Sequence, residues 1–257
     1  MFIKLHETPI EQQKELCIYH HLGIGDIIDC NGMVRSFANM GLFEKVNVFI
    51  KSQHIEMIEY MYRDNPRICV VPISAGHLDP NEAKNVVDFV KEDPTRALMI
   101  IGHQFYDESL EKLKNINCWE QFYMLAKLQL SVRWDNFYLQ EDKELQKKLY
   151  DKLNPSDEPY IFIHDDPSRG YEVDKTKVNS DNLKIITNDI SENMFHFVDI
   201  IKKAREIHCM ESSFKSLVEL IGSPAKMYFH NFRGHPLGFN SASRGGWEII
   251  EYGEKND

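Results

Sequence analysis

The chain has 257 residues, enough for one large α/β domain or two smaller ones. With 27% charged and 42% hydrophobic residues it has the proportions of a folded globular protein. Thirty Lys and Arg against 40 Asp and Glu leave a net charge of −10, a poor basis for binding nucleic acid or an anionic membrane. No apolar run approaches the ~20 residues that span a bilayer. The opening Met-Phe-Ile-Lys-Leu-His-Glu lacks the apolar core of a signal peptide. Cys17, Cys30, Cys69, Cys118 and Cys209 are scattered and never in Cys-x-x-Cys spacing. That argues against a disulfide framework or a zinc knuckle, and the expected compartment is reducing and cytoplasmic.

Four short apolar runs lead the chain as strand candidates: Leu16–Tyr19, Val46–Ile50, Ile68–Val71 and Ala97–Ile101. They are continuous rather than alternating, as strands buried on both faces of a parallel sheet read. Helical patterns separate them. Ile27, Cys30, Val34, Phe37 and Ala38 share one helix face, as do Ile55, Ile58 and Tyr62, and Pro80-Asn81-Glu82 opens a third helix. Residues 104–153 read as helical, over Tyr106–Leu113, Trp119–Leu130 and Gln140–Leu153, with Trp119, Phe122, Tyr123 and Leu125 suited to helical core or interdomain packing and, less so, to a sugar-stacking platform. The polar segment Asn154-Pro155-Ser156-Asp157-Glu158-Pro159 reads as a linker. Strand candidates then resume at Tyr160–His164, Leu183–Thr187, Glu206–Met210 and Lys226–Phe229, with helices at Met194–Ala204 and Ser213–Ile221. The tail from Arg233 reads as loop plus a short terminal element. The βα rhythm on both sides of the linker predicts two Rossmann-like halves with parallel sheets, residues 1–154 and 155–257.

The first strand runs into His20-His21-Leu22-Gly23-Ile24-Gly25-Asp26-Ile27-Ile28. A strand, a glycine-rich turn and a helix bring backbone N–H groups close to a ligand. Two features weigh against a dinucleotide turn. Ile28 stands where the third glycine would be, and the next strand ends in Ile50-Lys51-Ser52-Gln53 without a ribose-binding acid. Asp26 suits either a favourable first-turn carboxylate or a general base at the mouth of a crevice. In the second half, His164-Asp165-Asp166-Pro167-Ser168-Arg169-Gly170 places an arginine in the loop after a strand, where it suits either a phosphate or a solvated turn. Glu206–Met210 ends in Glu211-Ser212-Ser213 and a helix begins at once. Ser212 and Ser213 are good caps, the helix start suits an anion, and Glu211 suits two ribose hydroxyls; a plain capped turn is the alternative. His77 and His103 each follow a strand of the first half, and His230 and Arg233 follow the last strand.

These pieces resemble the GT-B glycosyltransferases, most closely the heptosyltransferase-like glycosyltransferase family 9. That family has a strand, Gly-Asp and a hydrophobic helix in its first half, matched by Leu22-Gly23-Ile24-Gly25-Asp26-Ile27-Ile28. Its second half carries Asp-Ser-Gly-x-x-His-Leu-Ala-x-x-x-Gly-x-Pro. Glu211-Ser212-Ser213-Phe214-Lys215-Ser216-Leu217-Val218-Glu219-Leu220-Ile221-Gly222-Ser223-Pro224 fits it without a gap. The departures are Glu211 for Asp, Ser213 for Gly and Ser216 for His. The carboxylate is kept, and one phosphate or ribose contact is lost.

The resemblance implies sheets facing a central cleft, an acceptor-side first half and a nucleotide-sugar-binding second half. It implies inverting transfer of a sugar to a glycan or other hydroxyl acceptor, with Asp26 as base. Arg169, Glu211, Ser212, Ser213, Lys215 and Ser216 would meet the donor, and His21, Gly23, Gly25, His77 and His103 would lie on the acceptor side. The sequence has no Asp-x-Asp, so no metal and no bound cofactor are expected. No nucleic-acid partner is expected, and Arg169, Lys215 and Arg233 should form a positive patch. A nucleotide-sugar epimerase and a catalytically inactive carbohydrate- or nucleotide-binding protein are the competing readings.

Overall fold

The computed structural model describes residues 2–3, 9, 12–20, 22–74, 81–102, 118–179, 183–232 and 245–252. The chain divides into two compact units, Met1–Gln140 and Glu141–Asp257.

Unit 1 is built on β1 (Phe2–Ile3), β2 (Glu15–Tyr19), β3 (Lys45–Lys51), β4 (Ile68–Ser74) and β5 (Arg96–Ile100), in the order β1-β5-β2-β3-β4. The pairs β2–β3, β2–β5 and β3–β4 are parallel, as the unbroken apolar runs predict. Leu16, Cys17, Ile18, Val46, Val48 and Phe49 are all fully buried, because helices cover both faces. Two strand features differ from expectation. β1 pairs antiparallel with β5, a two-residue strand too short to carry a sequence signal. β4 runs on through Pro72, which is tolerated because β4 is the edge strand.

The helices of unit 1 are α1 (Ile24–Asp29), α2 (Asn31–Asn39), α3 (Ile55–Tyr62), α4 (Glu82–Lys91), α5 (Cys118–Leu125) and α6 (Val132–Asp135). The single helix expected after the first strand is two. Cys30, at φ −84° and ψ −3°, stands between them, still right-handed but with ψ near zero. α6 crosses α2 at Gly32, where an added Cβ would lie 2.3 Å from the Val132 carbonyl oxygen. Phe122 and Tyr123 are fully buried, in keeping with the core reading. The helix expected at Tyr106–Leu113 lies outside the described residues.

Unit 2 carries α7 (Lys143–Leu153), β6 (Tyr160–His164), β7 (Lys184–Thr187), α8 (Val198–Lys203), β8 (Glu206–Met210), α9 (Ser213–Ile221), β9 (Lys226–Asn231) and β10 (Trp247–Glu251). Its sheet, β10-β9-β8-β6-β7, is parallel throughout. The expected break after residue 154 is a turn inside this unit, and the units divide ahead of α7. Asn154 is buried, its Nδ2 donates to the Glu158 carbonyl at 2.9 Å, and its Oδ1 accepts from Lys184 at 3.2 Å. Tyr150 of α7 meets Tyr160 of β6 edge-on at 6.2 Å, and Lys202 of α8 pairs with Glu141 at 2.9 Å. Proline and polar content read as a linker, but side-chain hydrogen bonds fold the segment back onto its own sheet.

One face of this sheet buries a chain of polar rings. His208 Nδ1 lies 2.9 Å from His230 Nε2, and His230 Nδ1 lies 2.7 Å from Tyr252 Oη, which accepts the Asp174 N–H at 3.1 Å. One tautomer set satisfies every link: Tyr252 O–H donates to His230, and the Nε2–H of His230 donates to His208. His208 and His230 are 1% and 0% exposed, and burial pushes both imidazoles down to about 4. Both are neutral at pH 7.

Candidate active site

In unit 1 the glycine turn follows the carboxyl end of β2, the edge at which open α/β sheets take their ligands. Gly23 is the N-cap of α1 and Gly25 its second residue. Asp26 sits in the first turn, half-buried, where a carboxylate also suits the helix dipole. Its carboxylate folds back over Gly23: a Cβ on residue 23 would lie 3.0 Å from Asp26 Oδ2. The glycine is needed here for close approach, since its φ of −72° suits any residue. His20, the residue after β2, is fully buried. His21, His77 and His103 lie outside the described residues.

In unit 2 the candidate donor residues gather at the carboxyl ends of β6 and β8. The loop after β6 is pinned by reciprocal bonds, Asp166 N–H to Tyr171 O at 2.8 Å and Tyr171 N–H to Asp166 O at 3.1 Å. Inside it a 3₁₀ turn, Pro167–Arg169, ends on Gly170 at φ +73°, a left-handed position that glycine fits. Arg169 projects from this turn with its side chain 44% exposed and paired to Asp166 at 2.5 Å. A surface pair of that kind is weak and leaves the guanidinium able to exchange partners. Burial raises the neighbouring Asp165 carboxyl above its usual range.

After β8, Glu211 is half-buried and Ser212 caps α9, its Oγ accepting the Lys215 N–H at 3.4 Å and donating to the Met210 carbonyl at 3.3 Å. Ser213 is the first helical residue. Ser216 is 5% exposed, one turn in. His164, last residue of β6, stacks on Phe214 of α9 at 4.5 Å, and burial lowers its imidazole to about 4. The stack ties the loop after β6 to the start of α9. The strand expected at Tyr160–His164 ends on this residue, as the structure has it.

Lys215 requires a correction. Its side chain is 3% exposed and its ammonium pairs with Glu219 at 2.5 Å, itself 4% exposed. The rings of Phe229 and Trp247 lie 5.6 and 5.4 Å away. Position 215 falls on the α9 face that packs on the sheet, so the charge is buried and neutralised one turn on. It contributes nothing to an exposed basic patch with Arg169, and Arg233 lies outside the described residues. The i,i+4 spacing of Lys215 and Glu219 was visible in the sequence. Among the described residues no group of three or more His, Cys, Asp or Glu could hold a metal ion, and no helix is long and apolar enough to cross a membrane.

No protein-family model and no curated protein sequence matches the chain. Solved structures do. A family 9 glycosyl transferase from Veillonella parvula DSM 2008 superposes with TM-score 0.58 at 9% identity, over 94% of this chain and 87% of its own. E. coli ADP-heptose LPS heptosyltransferase II gives 0.56 at 13% identity, over 93% and 90%. The iron-containing dodecameric glycosyltransferase TibC of enterotoxigenic E. coli H10407 gives 0.55 at 10% identity, over 84% of this chain and 58% of that one. Alignment over almost the whole length with the first two of these structures gives this chain the heptosyltransferase-like fold of glycosyltransferase family 9.

Proposed function

We propose that the protein is a glycosyltransferase of the GT-B type. It moves a sugar from a nucleotide-sugar to an acceptor hydroxyl, with inversion and without a metal. The observation that carries this reading is the placement of Asp26, a half-buried carboxylate held over Gly23 at the carboxyl end of the first long strand of a family 9 fold.

Asp26 takes the proton of the acceptor hydroxyl as that oxygen attacks the anomeric carbon. The bond to the diphosphate breaks in the same displacement, so the anomeric configuration inverts. Negative charge then grows on the departing diphosphate. The free N–H groups at the start of α9 and the Arg169 guanidinium meet it. Glu211 accepts hydrogen bonds from the ribose hydroxyls, and Ser212 and Ser213 line the turn against the phosphates. With Lys215 buried, Arg169 and the backbone N–H groups at the start of α9 are the sources of positive charge for this step among the described residues.

The E. coli neighbour uses ADP-heptose by name, so ADP-sugars head the donor panel. UDP-, GDP-, ADP- and CMP-sugars are compared by thermal shift, and the stabilising donor is incubated with and without hydroxyl acceptors. The expected result is stabilisation by one nucleotide class and a product of inverted anomeric configuration by NMR. Stabilisation by no nucleotide or nucleotide-sugar refutes the reading. Donor binding without transfer or hydrolysis points to a binding protein, and a changed sugar without acceptor to an epimerase.

A further inference from the structure

The helices α5 and α6 add no strand to the sheet of unit 1, yet they hold one of its most deeply buried charges. Arg133 is 0% exposed and Asp29, the last residue of α1, is 1% exposed. Asp29 Oδ1 accepts from Arg133 Nη2 at 2.5 Å and from Nε at 3.2 Å. The Asp29 carbonyl accepts the Tyr123 hydroxyl at 2.8 Å. One turn on, the Val132 carbonyl closes against Gly32 of α2. The Trp119 and Trp134 rings flank the guanidinium at 5.5 and 5.0 Å.

α1 has six residues, with Ile27 N–H to Gly23 O at 3.0 Å and Cys30 N–H to Asp26 O at 2.9 Å. So short a helix has no stability of its own. Asp26 and Asp29 are three residues apart, one turn along the same side. Whatever fixes Asp29 therefore fixes the direction in which Asp26 projects. Stability alone is a weak reason for such a pair, since apolar residues of similar volume often serve as well. A guanidinium fork supplies what apolar packing does not, a fixed orientation.

We infer that Arg133 and Tyr123 are positioning residues that clamp α1 through Asp29 and so aim the Asp26 carboxylate. The inference rests on the reading of Asp26 as the base. It gives the helical stretch a task, which is to hold the glycine turn of the adjoining strand in register.

The test uses the full chain and the donor identified by the panel above. Arg133→Lys keeps the charge and loses the fork. Tyr123→Phe removes one hydroxyl from an otherwise intact core. Each is expected to lower kcat by about 10- to 100-fold and leave the donor KM within about twofold, the scale of a small misplacement. Amide exchange at Ile27 and Cys30 should accelerate, with Cys17 and Val48 unchanged. Asp64→Asn breaks the Arg35–Asp64 pair, joined at 2.8 Å between α2 and the residues after α3, and should leave kcat in place. Folded Arg133→Lys and Tyr123→Phe proteins that turn over at the wild-type rate overturn the inference. So does an equal loss of kcat in Asp64→Asn. If the wild-type chain transfers no sugar, the glycosyltransferase reading falls separately, and exchange decides the clamp: unchanged protection at Ile27 and Cys30 in Arg133→Lys overturns it.

Discussion

Acidification should loosen unit 2 by charging its buried imidazoles. The perturbation is a shift from pH 7 to pH 5; three buried imidazoles respond, His164, His208 and His230, and the last two are the pair tested. In the unfolded chain each imidazole protonates near 6.5; in the folded unit each stays neutral down to about 4. The folded values are depressed, so the unfolded state binds more protons between these limits. Stability is complete above about pH 6.5 and is lost as the pH falls toward 4. At pH 5 each ring costs about 2 kcal/mol, and the pair about 4 kcal/mol. That is a large part of the 5–15 kcal/mol typical of a domain. Asp174 and Asp189 are held low by hydrogen bonds from Thr176 and Ser191, so they titrate below this window. The assay is hydrogen exchange of peptides covering β6 and β8, corrected for intrinsic rates, in wild type and in His208→Gln/His230→Gln. Wild type should lose about 4 kcal/mol more protection than the double variant between pH 7 and pH 5. Equal losses in the two proteins would refute the reasoning.

Further predictions follow from close approaches and buried charge. Gly23→Ala should cost little stability, because Asp26 can swing away from the new Cβ, yet lower kcat by about tenfold or more, read by melting temperature beside turnover. Gly32→Ala drives a Cβ into the Val132 carbonyl and should cost about 1–3 kcal/mol in chemical denaturation, with overpacking as the cause. Lys215→Met strands the buried Glu219 carboxylate and should cost about 3–5 kcal/mol. Lys215→Met/Glu219→Leu should recover most of that, with donor affinity within about twofold of wild type, since both charges are buried against each other.

The strands were the legible part of this molecule. β6, β8 and α9 fall where the apolar runs and the Ser212 cap put them, because burial on both faces leaves few other sequences possible. β1 and β10 were not legible as strands: one is two residues long, and the other is completed by pairing with β9 across a long connection. The turn at residues 154–159 misled for a different reason. Proline and polar residues mark a break in regular structure, but where the next hydrogen bond goes is a tertiary fact, here set by Asn154 and Tyr150. At the site, the glycine turn and the capped start of α9 stood out as local motifs. Lys215 did not, because its fate depends on which side of α9 meets the sheet. The Asp29–Arg133 pair spans more than 100 positions and leaves no local trace.

The most direct test of the account is Asp26→Asn, with transfer and donor affinity measured on the same preparation. On the proposed reading, loss of the carboxylate removes the proton acceptor and leaves the donor contacts unchanged. The account predicts a fall in transfer of about 10²- to 10⁴-fold, with donor Kd within about twofold of wild type. Transfer at the wild-type rate by Asp26→Asn would contradict it.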